Sequence, residues 1–306
     1  MPSLRGGSFR LFRLAGINLY LHWSWFLVGA YEIGDRATQY SALTWNVLEY
    51  LALFLIVMLH EFGHALACRQ VGGTADQIVL WPLGGVAYVD PPPRPSAMLW
   101  SIAAGPLVNV ALLPVFWSLR MLDRSLGWAS VMPNAHELLR SVSIINLGLL
   151  IFNILPVYPL DGGQILRSLL WFAVGRARSL MAATIVGFIG VAGFFGLAFL
   201  THSVWLGVLS AFVLMNCWNG LQHARALSRL AKLPRHLGFA CPRCHSSPPI
   251  GKFWMCAHCS NPFDTFETQA VCPNCAASFA VTRCLDCGGS HSISEWNAPV
   301  LVHQDS

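Results

Sequence analysis

Charged side chains are scarce in this amino-acid sequence. Asp, Glu, Lys and Arg make up 11% of the 306 residues, whereas they make up about 25% of a soluble domain. Hydrophobic residues make up 55% of the chain, more than a soluble core of this length needs. This composition excludes an ordinary soluble domain. It favours a polytopic membrane protein, because each helix that crosses a bilayer needs about 20 apolar residues.

The sequence also lacks two features of secreted proteins. Its first 16 residues are basic and mixed, without the small-residue cleavage site of a signal peptide, so we expect insertion to begin at the first internal span. Cysteines are nearly absent outside residues 241–287, where eight of the ten form Cys-x-x-Cys pairs. This spacing favours metal binding in a reducing compartment over disulfides.

An excess of positive charge is missing from the tail that carries these pairs. Residues 238–306 hold three basic side chains against five acidic ones. Zinc modules that bind nucleic acid need a basic face, so we do not expect nucleic acid to be a partner.

Long hydrophobic runs are present instead, and they predict an α-helical membrane protein with about six transmembrane helices. A short strand at the membrane surface is expected within residues 8–20, and a hairpin of residues 77–81 with 86–89. The fourth run is too long for one straight helix. Its prolines and glycines break it, which is tolerated only where protein or a watery cavity covers the backbone. The predicted spans are 21–36, 47–70, 97–121, 141–171, 179–201 and 203–223.

Lys and Arg are distributed unevenly between the predicted spans. With both termini in the cytoplasm, twelve basic residues of the membrane portion lie inside and four lie outside, namely Arg36, Arg120, Arg124 and Arg140. Because cytoplasmic loops of membrane proteins carry the excess of Lys and Arg, we expect both termini to be cytoplasmic. The cysteine-rich tail then lies in a reducing compartment, as its spacing requires.

The second span ends in His60-Glu61-Phe62-Gly63-His64, the HExxH spacing that binds zinc. Residues i and i+4 lie on one face of a helix, so both imidazoles reach one ion. Glu61 is then placed to accept a proton from water activated by the metal. The alternative is an ordinary surface helix, but three ionisable groups at the end of an apolar run favour a functional site.

A catalytic zinc ion takes three protein ligands, and Asp161 is the candidate for the third. It lies in Leu160-Asp161-Gly162-Gly163 within the broken fourth run, where glycines permit close approach of the chain. The alternative is that Asp161 caps the following helix. Cys68 is eight residues from His60, about 12 Å along the helix axis, and is expected to be a small buried side chain. His22 and Glu49 are weaker candidates, expected to face the membrane interface.

Three motifs follow one another along the membrane portion: HEFGH, AAGPLVN at 103–109 and FNILPVYPLDGG at 152–163. Together they resemble the site-2 protease family of intramembrane zinc metalloproteases, over about residues 10–225. The strand that leads into Leu21-His22-Trp23 is similar to the bacterial branch that includes sporulation-factor proteases. Gly105 and Asn109 match the family's Gly-x-x-x-Asn element, which implies a structural or substrate-aligning position.

The resemblance also implies the chemistry of the site. Asn153, in an Asn-x-x-Pro pattern, would steady the substrate carbonyl or the oxyanion. The expected substrates are single-pass membrane proteins or remnant signal peptides, cut in the lipid bilayer near its cytoplasmic side. The catalytic zinc ligands would be His60, His64 and Asp161, with Glu61 as the general base.

The cysteine pairs of the tail predict two structural zinc ions, each held by four thiolates. Such a small module has little core, and zinc contributes about 10–16 kcal/mol to its folding. Short linkers favour sequential pairing, with cross-braced pairing as the alternative. Sequential pairing places Cys241, Cys244, Cys256 and Cys259 on the first ion and Cys272, Cys275, Cys284 and Cys287 on the second.

These features predict two domains, a membrane-embedded domain of residues 1–235 and a cytoplasmic double zinc ribbon of residues 236–306. The expected cofactor is zinc, with one catalytic ion and two structural ions, and the expected location is a bacterial cytoplasmic membrane.

The alternative function is a catalytically silent membrane scaffold whose ribbons recruit a cytoplasmic protein partner. A silent relative would be expected to lack Glu61 or a ligand, and none is missing. A zinc transporter would need polar residues across several spans, whereas they concentrate in two.

Overall fold

The computed structural model of the chain describes residues 7–36, 38–81 and 84–296. Within these ranges a four-stranded sheet accompanies the helices, and two two-stranded sheets lie in the tail. The helices are α1 (Ser24–Asp35), α2 (Leu43–Gln70), α3 (Pro95–Ser125), α4 (Trp128–Val131), α5 (Pro133–Ile154), α6 (Asp161–Val174), α7 (Arg176–Leu200) and α8 (Val204–Leu230). The strands are β1 (Ser8–Leu14), β2 (Ile17–His22), β3 (Thr74–Trp81), β4 (Gly84–Asp90), β5 (Trp254–Met255), β6 (Pro262–Phe263), β7 (Thr282–Arg283) and β8 (Ser290–His291).

The four-stranded sheet lies against the helix that carries HEFGH. The single strand expected within residues 8–20 is a hairpin, because Ala15 and Gly16 have positive φ angles of 49° and 76° and reverse the chain. The hairpin predicted for residues 77–81 and 86–89 is confirmed, because β3 and β4 pair antiparallel. Strand β2 pairs in parallel with β3. The order β1-β2-β3-β4 makes β4 an edge strand. Phe62 of α2 shares a buried cluster with Ile78 and Leu80 of β3.

Four helices in the described ranges are long and apolar enough to cross a membrane: α2, α3, α5 and α7. Helix α8 has 27 residues and packs along α7. The first predicted span, 21–36, differs in the structure, because β2 continues to His22 and α1 has 12 residues. A helix of that length extends about 18 Å, whereas the hydrocarbon core is about 30 Å thick. Helix α1 alone is therefore shorter than a membrane span.

The fourth hydrophobic run is divided as its prolines predict. Helix α5 ends at Ile154, because a proline at 156 disfavours helical backbone at Leu155, whose φ and ψ are −53° and 130°. Helix α6 begins at Asp161 and packs between α3 and α7. The break therefore places the first residue of α6 next to the helices that carry the other motifs.

The tail is built around two small buried clusters. Aromatic side chains pack against cysteines in both, so the packing and the metal-binding residues are interleaved. One cluster contains Cys241, Phe266, Cys284 and Trp296. The other contains Cys256, Phe263 and Cys272.

Candidate active site

The structure brings His60, His64 and Asp161 together. The His60 and His64 Nε2 atoms are 3.1 Å apart. One Asp161 oxygen, Oδ2, is 3.0 Å from His60 Nε2 and 3.3 Å from His64 Nε2. All three residues are buried, and their possible ligand atoms lie within 4.8 Å of one another. The carboxylate at the start of α6 therefore meets both imidazoles of α2 at one point.

These separations fit a single zinc ion. Ligand atoms about 2.0 Å from zinc at tetrahedral angles lie roughly 3.3 Å apart. The three edges of the His60, His64 and Asp161 triangle are 3.0 to 3.3 Å. Two neutral imidazoles and one carboxylate also form the ligand chemistry of catalytic zinc. The fourth tetrahedral position is left for water or substrate.

Helix α3 fixes the orientation of both imidazoles. His60 Nδ1 is 2.7 Å from the Asn109 side-chain oxygen, and His64 Nδ1 is 2.9 Å from the Ser101 carbonyl oxygen. Each Nδ1–H donates to α3, which leaves Nε2 free to bind metal. Asn109 in turn donates to the Asn146 side-chain oxygen at 2.9 Å. This gives Asn109 a definite role in holding His60.

The sequence reasoning assigned no role to Ser101 or Asn146. Both are fully buried in the structure. Ser101 acts through its carbonyl group, which any residue would provide, so residue type gives no signal. Asn146 could have been found, because a buried amide inside an apolar run needs hydrogen-bond partners.

Glycines allow the elements of the site to approach. A Cβ atom built on Gly105 would lie 2.3 Å from His64 Nε2 and 2.8 Å from His60 Nε2. A Cβ atom on Gly162 would lie 2.1 Å from the Ile154 carbonyl oxygen. Any side chain at these two positions would displace α3 from the imidazoles or α6 from the end of α5.

The two other residues with predicted catalytic roles lie close to the ligands in sequence. Glu61 is buried, with 6% of its surface exposed, and follows His60 on α2. Asn153 is half-buried in the last turn of α5, ahead of the break that leads to Asp161. Both roles remain predictions.

The weaker candidates lie outside the triad. Cys68 is fully buried and contacts the Thr74 carbonyl oxygen at 3.5 Å, as expected of a small packed side chain. His22 was expected to face the membrane interface, but it is buried, with 7% of its surface exposed, and stacks on Trp81 with ring centroids 3.9 Å apart.

The sequence predicted that Glu49 faces the membrane interface. That prediction is wrong, because only 5% of its surface is exposed. Its carboxylate accepts hydrogen bonds from Tyr40 at 2.5 Å and Ser141 at 2.6 Å, and it is paired with Arg36. Because these partners come from the α1–α2 connection and α5, the sequence spacing gave no sign of this network.

The cysteines of the tail form two groups of four, as predicted, but not with the predicted pairing. The outer group is Cys241, Cys244, Cys284 and Cys287, and the inner group is Cys256, Cys259, Cys272 and Cys275. The first Cys-x-x-Cys pair thus joins the fourth, and the second joins the third. Neither the sequential pairing nor the cross-braced alternative has this nested order.

Buried packing accounts for the nested order. The outer cysteines Cys241 and Cys284 share a cluster with Phe266 and Trp296, and the Ala240 N–H donates to the Trp296 carbonyl oxygen at 2.8 Å. Linker length was a weak guide, because each doubling of a loop costs only about 0.6 kcal/mol. Aromatic burial over the same residues outweighs that difference.

Each cysteine group has the dimensions of a tetrahedral zinc site. Within each group, the Sγ atoms of the two Cys-x-x-Cys pairs approach one another, to 3.7 Å in the outer group and 3.6 Å in the inner group. Sulfurs about 2.3 Å from zinc lie roughly 3.75 Å apart. A hydrogen bond with Cys284 lowers the pKa of Cys244 to about 4, and one with the Asn274 side chain lowers the pKa of Cys259 to about 6. Both shifts favour the thiolate, the form that binds zinc.

Comparison with known proteins gives a consistent set of relatives. The family model described as peptidase family M50 matches residues 49–124 and 127–197. A zinc metalloprotease of Methanocaldococcus jannaschii is 34% identical over 59% of this chain and 50% of its own length. Stage IV sporulation protein FB of Bacillus subtilis is 32% identical over 40% of this chain and 41% of its own length. The chain thus spans about half the length of these curated relatives.

Among solved structures, the site-2 protease from Methanocaldococcus jannaschii is similar, with a TM-score of 0.54 and 31% identity. The match covers 70% of this chain and 95% of that chain.

Proposed function

The chain belongs to the site-2 protease family, peptidase family M50, and from that premise we propose that it is a zinc metalloendopeptidase that cuts other membrane proteins. Its substrates would be cleaved within or next to their transmembrane segments. One observation carries this proposal: two imidazoles of α2 and the carboxylate of α6 converge, with separations that match those between the ligands of a zinc ion. Glu61 follows His60 in the chain, and we assign it the role of proton acceptor.

The residues of the site divide the work. When bound, zinc polarises water and the substrate carbonyl. The Nε2 atoms of His60 and His64 and the Asp161 carboxylate would hold the ion, with the rings oriented by α3. Glu61 accepts a proton from the attacking water and returns it to the leaving amine.

Asn153 would donate a hydrogen bond from its side-chain amide to the oxygen that gains negative charge. Such a donor stabilises the transition state more than the ground state.

A transmembrane substrate must be extended to be cut, because a hydrogen-bonded helix does not expose its carbonyl groups. We propose that strand β4 receives the extended segment, since of the two edge strands, β1 and β4, it is β4 that packs on α2. Backbone pairing of this kind binds peptides with little dependence on side chains. The sheet packs on α2, so a segment added to β4 would lie close to the catalytic helix. Single-pass membrane proteins and remnant signal peptides both fit this mode, in regulated intramembrane proteolysis or in signal-peptide clearance.

Four apolar helices and the family assignment make the chain an integral membrane protein. We propose that it lies in the bacterial cytoplasmic membrane with both termini inside. It would contain a membrane-embedded protease domain, residues 1–235, and a cytoplasmic zinc domain, residues 236–306. Residues 1–6 and 297–306 of these domains lie outside the described ranges. The full complement would be three zinc ions, one catalytic and two structural.

Replacement of Glu61 with Gln tests the proposed chemistry. The amide keeps the size of the side chain but no longer accepts a proton, so cleavage of a membrane-embedded reporter should fall by at least about 100-fold. Zinc content should stay unchanged, because Glu61 is not a ligand. The matched control is Glu267→Gln, an exposed position in the tail, which should cleave normally. A Glu61→Gln protein that cleaves at the normal rate would contradict the mechanism. A wild-type protein that cleaves no membrane substrate would favour the silent scaffold, with partners recruited by the tail.

A further inference from the structure

The outer cysteine group presents charged residues to the membrane domain. Arg243 lies between Cys241 and Cys244, and Asp286 lies between Cys284 and Cys287. Both side chains therefore stand on the turns that would wrap one zinc ion. Their positions are set by the geometry of that ion's ligands.

Each of these turns contacts a different part of the membrane domain. Arg243 NH2 is 2.8 Å from the Asp90 Oδ2 atom, at the last residue of strand β4. Arg176, the first residue of α7, donates from NH1 to the Asp286 carbonyl oxygen at 2.5 Å. Arg235, in the segment that follows α8, forms a two-pronged ion pair with the Asp286 carboxylate, at 2.6 and 3.2 Å, and so also holds that turn.

These contacts join the tail to the strand proposed to receive substrate and to the helix that follows α6. Asp90 ends the edge strand β4, to which an extended substrate would add. Arg176 follows α6, the helix that begins with the ligand Asp161. The docked tail therefore connects the end of β4 with the start of α7 and lies at the end of the strand along which the extended segment would bind.

We propose that the outer zinc site is an autoinhibitory latch, defined by the Arg243–Asp90 and Arg176–Asp286 contacts. With zinc in the outer site, the two turns are held in place, and the tail, docked at Asp90 and Arg176, obstructs the addition of a substrate segment to β4. Loss of that zinc, or of either contact, releases the tail and admits the substrate segment. This inference rests on the proposed protease function, and it identifies the tail as its regulator.

The first test measures docking without reference to catalysis. Arg243→Gln in the full chain, purified with zinc in detergent, should speed hydrogen exchange at residues 84–90 and 241–247. The matched control is Arg283→Gln, another tail arginine, which forms no ion pair among the described residues. Exchange that is unchanged in Arg243→Gln would overturn the latch. Exchange that rises equally in the control would overturn it too, because the effect would then not depend on Asp90.

The second test measures the consequence for cleavage. The Arg243–Asp90 pair is partly exposed, and its loss should shift the balance of docked and released tails about five-fold, with a similar rise in the rate of cleavage. The double variant Asp90→Arg with Arg243→Asp restores an opposite-charge pair and should return both exchange and cleavage toward wild type. Cys287→Ser should release the tail even if the outer site unfolds, and should also raise cleavage.

The outcomes separate the latch from the protease assignment. Released tails with unchanged or slower cleavage would overturn autoinhibition while the protease function stands. Absence of any Glu61-dependent cleavage would overturn the protease function, while the exchange measurement would still decide whether the tail docks through Arg243.

Discussion

At the scale of single residues, the site depends on the absence of a side chain at Gly105. Helix α3 carries the groups that orient both imidazoles, Asn109 and the Ser101 carbonyl, and so must lie directly against α2. Any side chain at position 105 would occupy the space of the His64 ring. The rings cannot turn aside, because rotation would break the hydrogen bonds that hold Nδ1. Metal binding by the two imidazoles therefore requires that α2 and α3 pack closely.

Gly105→Ala should thus abolish the membrane zinc site. The added Cβ atom would lie 2.3 Å from His64 Nε2, well inside van der Waals contact. We expect the purified variant to lose the catalytic zinc ion and all cleavage, while the tail keeps its zinc. Metal analysis per chain measures this directly.

Gly148→Ala is the matched control for this substitution. It is an exposed helical glycine of α5, with no atom within 4 Å of an added Cβ. Alanine favours the helix over glycine by about 1 kcal/mol, so this variant should be equally active or slightly more stable. A Gly105→Ala protein with normal zinc content would contradict the close packing of α3 on the histidines.

At the scale of elements, local patterns were reliable where the chain itself imposes them. Prolines predicted the break between α5 and α6, and two β-rich runs set between glycines and prolines predicted the β3–β4 hairpin. The HExxH spacing predicted that His60 and His64 face the same way, and Asp161 was identified as the residue that joins them. The sequence analysis did not predict which cysteine pairs, distant along the chain, share one ion. The nested cysteine order depends on Phe266 and Trp296 packing together, and no local spacing encodes that contact.

The nested order predicts which thiols become free when one ligand is removed. Cys256→Ser should release the inner zinc ion and expose Cys259, Cys272 and Cys275 to alkylation. Cysteines of the outer group should remain protected by their own zinc. Mapping of alkylated thiols by mass spectrometry distinguishes this from sequential pairing, in which Cys241, Cys244 and Cys259 would become reactive instead.

Cys217→Ser is the matched control for the alkylation experiment. This cysteine is buried in α8, and its Sγ contacts the Tyr158 carbonyl oxygen at 2.9 Å, far from either group in the tail. A serine hydroxyl can make the same hydrogen bond. Its zinc content and alkylation pattern should match the wild type. Reactive outer thiols in Cys256→Ser alone would show that the two groups do not bind metal independently.

At the scale of the whole molecule, contacts between distant segments constrain the topology. Strands β1 and β2 belong to the same sheet as β4, so the N-terminal hairpin lies beside the strand that ends at Asp90. The tail contacts Asp90 and Arg176, so it lies next to the same sheet. A membrane surface that holds this sheet would therefore hold both ends of the described chain. The distribution of Lys and Arg predicts that this surface is the cytoplasmic one.

The chain's only two lysines provide a direct test of this orientation. Lys232 and Lys252 are both exposed, and both belong to segments expected in the cytoplasm. A membrane-impermeant amine reagent should therefore label the protein in inverted vesicles and leave it unlabelled at lysine in right-side-out vesicles. Arg124→Lys adds an exposed lysine at the end of α3, on the opposite side, and should be labelled in right-side-out vesicles. Labelling of Lys252 from the outside would place the tail in an oxidising compartment. Its thiols would then favour disulfides over zinc, and a zinc-dependent latch at Asp90 could not form.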